Sequence, residues 1–295
     1  MNHLSRRTFL ATVAATSAAR QLLSHNFTPQ PFKKAVKIGM VQEGDTLLEK
    51  FKLLKELGFD GVEMDSPNGY STKEVLEARD KSGLPIHGVV DSTHWRKTFN
   101  HADENTRDEA IQDLKTALQD AHDFGASTVL VVPAVVNKGE YYGVAWKRAH
   151  EAISSQLDLA EKLGVKIAFE NVWNNFLISP VEMSHWIDTF DSNQVGAYFD
   201  VGNILRYGWP EHWIRELGHR ILKIDVKEYS RTKANEEGIW AGFSAELLEG
   251  DCDWPVVMKE LRNLDYDGWF TAEIGGGGRK RLQQIATNMD KILAS

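Results

Sequence analysis

The sequence predicts an α/β protein built as a single (β/α)8 barrel, and three observations predict it. Eight short β-rich runs follow one another between residues 37 and 274. Stretches with the apolar spacing of helices separate them, and no Pro/Ser-rich linker breaks the alternation. The chain is 295 residues long, enough for one barrel of about 250 residues. Strands joined by helices pair in parallel, because each helix returns the chain to the same edge of the sheet.

In chain order, the first strand is expected at "KIGMV" from 37 and the second at "GVEMD" from 61. Between them, "TLLEKFKLLKELG" sets Leu47, Phe51, Leu54 and Leu57 three and four residues apart, and Gly58 stops the helix. The third strand is "IHGVVD" from 86; the helical "RDEAIQDLKTALQDAHDFG" then closes on Gly125 before "TVLVVP" from 128. "AWKRAHEAISSQLDLAEKLG" repeats the arrangement as one helix ending at Gly164, and "KIAFE" from 166 follows. The last three strands are "VGAYFD" from 195, "ILKIDVKE" from 221 and "GWFTAEI" from 268. No Gly-rich phosphate fingerprint follows the first strand, which disfavours an open dinucleotide-binding sheet. The Gly-rich "EIGGGGRK" at 273–280 has two readings, an anion site or a flexible turn into the final helix.

Composition narrows the function. Hydrophobic content of 42% and charged content of 26% are ordinary for a globular protein, and a mean hydropathy of −0.37 argues against membrane spans. The 34 Lys and Arg against 42 Asp and Glu give −8 with no basic tract, a poor basis for a nucleic-acid groove. The one cysteine, Cys252, has no partner for an intramolecular disulfide. At the N-terminus, "SRRTFL" at 5–10 precedes the small and apolar "ATVAATSAA", the pattern of a twin-arginine export signal. Residues 1–19 are expected to be that signal, 20–35 a linker and 36–295 the catalytic barrel, which places the mature protein in the periplasm. Removing Arg6 and Arg7 with the signal takes the net charge from −8 to −10.

In a barrel, chemistry sits at the C-terminal ends of the strands. Acids fall there in series: Glu170 ends strand five, Asp200 strand six, and Asp225 and Glu273 lie late in strands seven and eight. Four carboxylates converging on one mouth repel one another unless a cation intervenes. An all-oxygen set suits one divalent ion, Mn2+ or Mg2+, with Ca2+, Co2+ or Zn2+ as alternatives. The competing explanation is that each acid caps a helix or pairs with Lys223, Lys227 or Arg231.

The stretches "LKELGFDGVEMD", "GLPIHGVV", "KIAFENV", "GAYFDVGN", "ILKIDVKEY" and "EGDCDWPVVMKELRNLDYDGWFTAEI" together resemble the sugar phosphate isomerase/epimerase superfamily with its xylose-isomerase-like barrel. Tagatose and psicose 3-epimerases, hydroxypyruvate isomerase and inosose dehydratase belong to it. The resemblance implies that Glu170, Asp200, Asp225 and Glu273 hold one metal ion, that Arg231 follows the strand-seven ligand, and that His87 lies near the substrate. Two positions depart from the pattern: Asp225 stands where a histidine is usual, and Asn203 stands where a histidine commonly follows the strand-six aspartate. The superfamily's endonuclease IV needs a histidine-rich zinc site that this chain lacks.

The resemblance implies a keto-sugar isomerase or epimerase acting through an enediolate, with Glu170 and Glu273 as the proton-transfer pair. Elimination or hydrolysis on 3-keto-glycosides is the alternative, which an exported enzyme favours, and a non-catalytic sugar-binding barrel is the third reading. Trp95, Trp173, Asn171, Asn203, Lys227 and Arg231 are candidate substrate contacts, since aromatic faces pack on the C–H faces of sugars. Trp209 also follows strand six. Trp213 and Trp254 are expected in the core or at an interface, and His185 and His219 in structural or surface roles. Glu63 and Asp65 end strand two and either reach the mouth or cap a helix, with His94 a further candidate contact. The partner is a small carbohydrate, and a monomer and a homo-oligomer are equally compatible with the length.

Overall fold

The computed structural model describes residues 32–295, so the expected signal, with Arg6 and Arg7, and most of the expected linker lie outside the described residues. Strand β1 runs Lys33–Lys37, followed by a 3-10 turn, Ile38–Met40, and helix α1, Leu47–Glu56. Next come β2 (Gly61–Ser66), α2 (Thr72–Ser82), β3 (Ile86–Asp91), α3 (Glu104–Phe124) and β4 (Thr128–Val131). The order continues with α4 (Tyr142–Ser154), α5 (Leu157–Leu163), β5 (Lys166–Glu170), α6 (Pro180–Asp188) and β6 (Val195–Asp200). Helices α7 (Val201–Ile204) and α8 (Pro210–Leu217) lead to β7 (Ile221–Val226). Helices α9 (Arg231–Glu237) and α10 (Trp254–Asn263) precede β8 (Trp269–Ala272), and α11 (Arg279–Ala294) ends the chain. The eight strands are parallel and close in sequence order, β8 pairing with β1.

Local chemistry sets the helix limits. Thr46 and Ser71 each accept from the backbone N–H three residues on while Glu49 and Glu74 reach back, two capping boxes that start α1 and α2. Gly83, Gly125 and Gly164 adopt the left-handed conformation that ends α2, α3 and α5. The stretch expected as one helix up to Gly164 is two, α4 and α5. Ser155 Oγ donates to the Ala152 carbonyl at the break, the local bond by which serine competes with helix continuation.

Side chains alternate along a strand, so the two faces of the barrel wall differ. Phe169, Phe199, Ile224 and Phe270 point outward into one apolar layer under the helices. Their neighbours Glu170, Tyr198, Asp200, Lys223, Asp225 and Thr271 point into the barrel. The strands read as apolar runs because every second residue feeds that outer layer.

The first strand corrects the sequence reading. It spans Lys33–Lys37 and ends where the expected strand began. Lys34 looked like linker, yet it is 7% exposed and its ammonium bonds the Ala286 carbonyl and pairs with Asp290 of α11. The Gly-rich turn after β8 is tied to the segment after β1. Gly277 N–H donates to the Met40 carbonyl at 2.9 Å and its own carbonyl accepts from Gln42 N–H at 3.0 Å, closing a seam. The N-terminus of α11 is already met by Glu43, whose Oε2 accepts from Arg279 N–H at 2.7 Å.

A side chain at Gly276 would place its Cβ 2.1 Å from the Met40 carbonyl oxygen, backbone that cannot swing aside. Gly276→Ala is therefore expected to destabilise the protein by about 1–3 kcal/mol, read from urea denaturation. An unchanged midpoint would show that the seam yields without cost.

Candidate active site

Strand parity delivers the four acids to one point. One carboxylate oxygen from each of Glu170, Asp200, Asp225 and Glu273 lies within 4.8 Å of all the others. Asp200 and Asp225 pair directly across β6 and β7, whereas β5 and β8, with Glu170 and Glu273, lie on separated sides of the ring. Asp200 doubles as the cap of α7, its Oδ1 accepting from Asn203 N–H at 2.8 Å.

Two lysines enter the cluster, and one of them escaped the sequence reading. Lys37, the last residue of β1, holds its ammonium 3.0 Å from Asp225 Oδ2 and 3.1 Å from Glu273 Oε1. Lys227, just past β7, lies 2.8 Å from both Asp200 Oδ2 and Glu273 Oε2. Glu170 is the one member without an ion pair among the described residues; Asn203 Nδ2 approaches it at 3.4 Å. The Lys227 pairing is the structural role that the sequence left open.

Below this ring lies a second buried polar layer. Tyr198 hydroxyl donates to Glu63 Oε1 at 2.9 Å and contacts Thr271 Oγ1 at 2.8 Å, which in turn meets His87 Nε2 at 3.2 Å. His87 Nδ1 lies 2.9 Å from Lys223 Nζ, and its ring stacks on Trp269 at 4.5 Å. A register shift between Val62 and Glu63 in the β2–β3 pairing accompanies this inward position. His87 thus belongs to the barrel interior and lines neither cavity described below. Glu63 also sits in this layer, as a core acid and not as a cap.

The charges do not balance. Glu63, Glu170, Asp200, Asp225 and Glu273 are five carboxylates against the three ammonium groups of Lys37, Lys223 and Lys227, a formal deficit of two positive charges. Protonation absorbs that deficit in the protein alone. Burial, with Glu273 adding repulsion, pushes Glu170 up to about 8 against the pull of Lys37 and Lys227. Burial lifts Asp200 to about 6 against Lys227, and lifts Asp225 well above the ordinary carboxylate range against Lys37. Burial would raise Glu273 as well, but Lys227 and Lys37 outweigh it and hold this carboxyl low. Lys223, desolvated, falls to about 7, and burial with the Lys223 charge keeps His87 neutral.

A divalent cation fits the same arrangement. Asp225 Oδ1 has no hydrogen-bond donor, and Asp200 Oδ2 and Glu273 Oε2 have only ion contacts to Lys227 that are not aligned as hydrogen bonds. Buried oxygens left over in this way, all of them carboxylate, suit a hard cation.

The cluster opens into a cavity of about 490 Å3 lined by Trp95, Glu170, Trp173, Asn203, Lys227 and Glu273, with Trp240 and Phe243 from the segment after α9. Trp240 and Phe243 carried no signal in the sequence; they lie in the long connection between β7 and α10. A second cavity of about 340 Å3 adjoins it, lined in part by Asn171, Trp173, Asn203 and Tyr207. Asn171 acts mainly as a brace, donating to the Asp200 carbonyl and accepting from its N–H, both at 2.8 Å. Arg231 lines neither cavity. Its guanidinium donates to the carbonyls of Leu205 and Gly208 at 2.7 and 2.9 Å and so clamps the turn after α7.

Of the remaining candidates, His94 is buried and accepts from Val132 N–H at 3.2 Å, while Trp95 beside it faces the larger cavity. Burial keeps His94 neutral, at about 3. Asp65 shows no capping contact, and Trp209 is exposed, with Arg231 over its ring. Trp213 stacks on Phe199 at the wall of the smaller cavity, and Trp254 is core, donating to Glu228 at 3.1 Å. His185 and His219 are at the surface. No helix among the described residues is long and apolar enough to cross a membrane.

Several known proteins are similar to this chain in sequence or in fold. A relative in Escherichia coli K12, the putative L-ribulose-5-phosphate 3-epimerase SgbU, is 26% identical over 77% of this chain and 82% of its own length. Inosose dehydratase of Bacillus thuringiensis (strain Al Hakam) is 23% identical over 73% of this chain and 78% of its own. The crystal structure of 3-keto-D-glucoside 4-epimerase, YcjR, from E. coli superposes with a TM-score of 0.76 at 15% identity, over 90% of this chain and all of that one. The profile described as xylose isomerase-like TIM barrel matches residues 51–294, and the chain belongs to that family.

Proposed function

We propose that the protein is a divalent-metal-dependent isomerase or epimerase of keto-sugars or related carbohydrates. The observation that carries the reading is the contrast between two glutamates facing one cavity. In the metal-free protein Glu170 is buried, without an ion pair among the described residues and held up at about 8, whereas Glu273 is held low by two lysines. Two carboxyl groups on one cavity are the pair that proton removal and proton return require. Relatives that act on sugars, one of them a dehydratase, support the same substrate class.

In this account, Glu273 as carboxylate takes the proton from the carbon beside the ketone, leaving an enediolate. Glu170, resupplied with a proton from solvent, returns one from its own side of the cavity. Delivery to the same carbon on its other face gives the epimer; delivery to the former carbonyl carbon, with the hydroxyl proton passing from the neighbouring oxygen to the old carbonyl oxygen, gives the isomer. A cation held by Glu170, Asp200, Asp225 and Glu273 would supply Lewis-acid stabilisation of the negative charge on the sugar oxygens. Lys227, which lines the cavity, supplies a second positive charge, and Lys37 keeps Asp225 and Glu273 in place. The aromatic rings of Trp95 and Trp173 cover the apolar faces of the sugar. The double arginine at 6 and 7 belongs to the same proposal as a twin-arginine signal that exports the enzyme to the periplasm.

Elimination from a keto-glycoside is the second reading, favoured by the smaller cavity beside the first. Incubation of keto-sugars and 3-keto-glycosides with Mn2+ in D2O, followed by NMR, separates the two. Deuterium at an α-carbon with the skeleton intact is the expected result, loss of the aglycone would establish elimination, and no reaction with any of them contradicts both.

Glu170→Gln keeps the shape and the contact to Asn203 but removes the exchangeable proton. Deuterium incorporation is expected to fall about 100- to 10,000-fold, with the melting temperature preserved. A variant that exchanges at the wild-type rate would remove Glu170 from the mechanism.

Metal affinity should depend on pH with a definite sign. Below about 8 for Glu170 and about 6 for Asp200, protons occupy oxygens that a cation needs; above those values they do not. Mn2+ is therefore expected to bind at least roughly tenfold more tightly at high than at low pH across this window, releasing protons, as isothermal titration in two buffers would read. A pH-independent Kd contradicts this assignment.

A further inference from the structure

The smaller cavity adjoins the larger one, and its chemistry differs. The two share Val172, Trp173 and Asn203, and Trp173 forms the partition. Its indole N–H donates to the Asn203 carbonyl at 2.7 Å, and its ring meets Trp240 and Phe243 at 4.9 Å in the direction of the larger cavity and Tyr207 at 5.6 Å in that of the smaller. No charged residue among the described ones lines the smaller cavity; Val172, Leu177, Ile178, Ile204, Tyr207 and Trp213 join Trp173 in its wall.

Its amides are largely committed. Both ends of Asn171 are bonded to the backbone of Asp200, and Asn203 is spent on the Asn171 carbonyl and Lys227. Asn175 donates to the Val136 carbonyl at 3.0 Å. A second sugar would find few free partners for its hydroxyl groups, whereas a flat apolar group needs none.

The wall is also built at a cost. Asn175 and Leu177 hold φ of 59° and 54°, the left-handed region, which for leucine is strained. Asn174 bonds the Ala134 carbonyl at 2.7 Å and Leu177 N–H donates to the Tyr142 hydroxyl at 3.0 Å, so the loop is fixed in that form. On the opposite rim, the Arg231 clamp fixes the turn that carries Tyr207.

We propose that the smaller cavity is a subsite for an uncharged aromatic substituent on the sugar, so that the substrate is an aryl keto-glycoside and not a free keto-sugar. This rests on the keto-sugar reading of the larger cavity. The sugar occupies the space over the carboxylates, the bond to the aglycone passes Trp173, and the aryl ring lies between Tyr207 and Ile178.

Tyr207 and Ile178 are 70% and 73% exposed, so Tyr207→Ala and Ile178→Ser leave the fold intact. Binding of 4-nitrophenyl and methyl 3-keto-glucoside to the Mn2+-loaded protein would be compared by isothermal titration. The aryl compound is expected to bind about tenfold more tightly, the size of the contacts two such side chains supply, and each substitution should erode that preference. Equal affinity, a preference untouched by both substitutions, or binding of neither compound overturns the subsite. The D2O exchange assay separates the two readings. Aryl preference without any exchange or aglycone release removes the catalytic reading alone, and exchange without preference removes the subsite alone.

Discussion

Like charges confined to one barrel mouth govern this structure. Carboxylate oxygens within 4.8 Å of one another repel by at least about 3.5 kcal/mol per pair of full charges at an effective dielectric of about 20, several times the net worth of a hydrogen bond. Such a cluster exists only with compensation, and the chain supplies part of it through Lys37, Lys223 and Lys227. The shortfall of two charges is met by protons on Glu170 and Asp225 or by one divalent cation, and these alternatives connect the electrostatics to the chemistry.

The fold creates the problem and limits it. In a closed parallel barrel, each strand gives alternate residues to the outer apolar layer and to the interior. Phe169 and Glu170, or Phe199 and Asp200, therefore serve opposite needs at adjacent positions. The outer layer supplies burial; the inner face, relieved of that role, tolerates polar groups as long as they bond one another. Glu63, Tyr198, Thr271, His87 and Lys223 do so in a connected layer directly under the acids. That layer is buried and forms the floor of the site.

The eight-strand architecture and the four acids were legible because both follow from period-two alternation and from the rule that barrel chemistry sits at strand C-termini. Errors arose where a single residue of register decided the outcome. Reading β1 as starting at Lys37, when it ends there, sent that lysine to the far end of the barrel and hid the partner of Asp225. The pairing shift between β2 and β3, invisible in "IHGVVD", accompanies the inward position of His87, which was expected near substrate. Arg231 misled differently: a guanidinium with five donors beside a tight turn is taken up by carbonyls. Trp240 and Phe243 approach Trp173 from a connection about 70 residues later in the chain, and no local pattern signals such an approach.

Asp225 and Lys37 form one ion pair of the carboxylate ring. A carboxylate at that place would deepen the repulsion unless a cation came with it, and Lys37 brings one to within 3.0 Å. The central claim is that the carboxylate ring nonetheless keeps room and charge for a resident divalent ion. X-ray absorption of the Mn2+-loaded protein tests it most directly. The account predicts one ion per chain in an all-oxygen shell that is lost in Asp225→Asn; absence of saturable binding, or a shell containing lysine or histidine nitrogen, would contradict it.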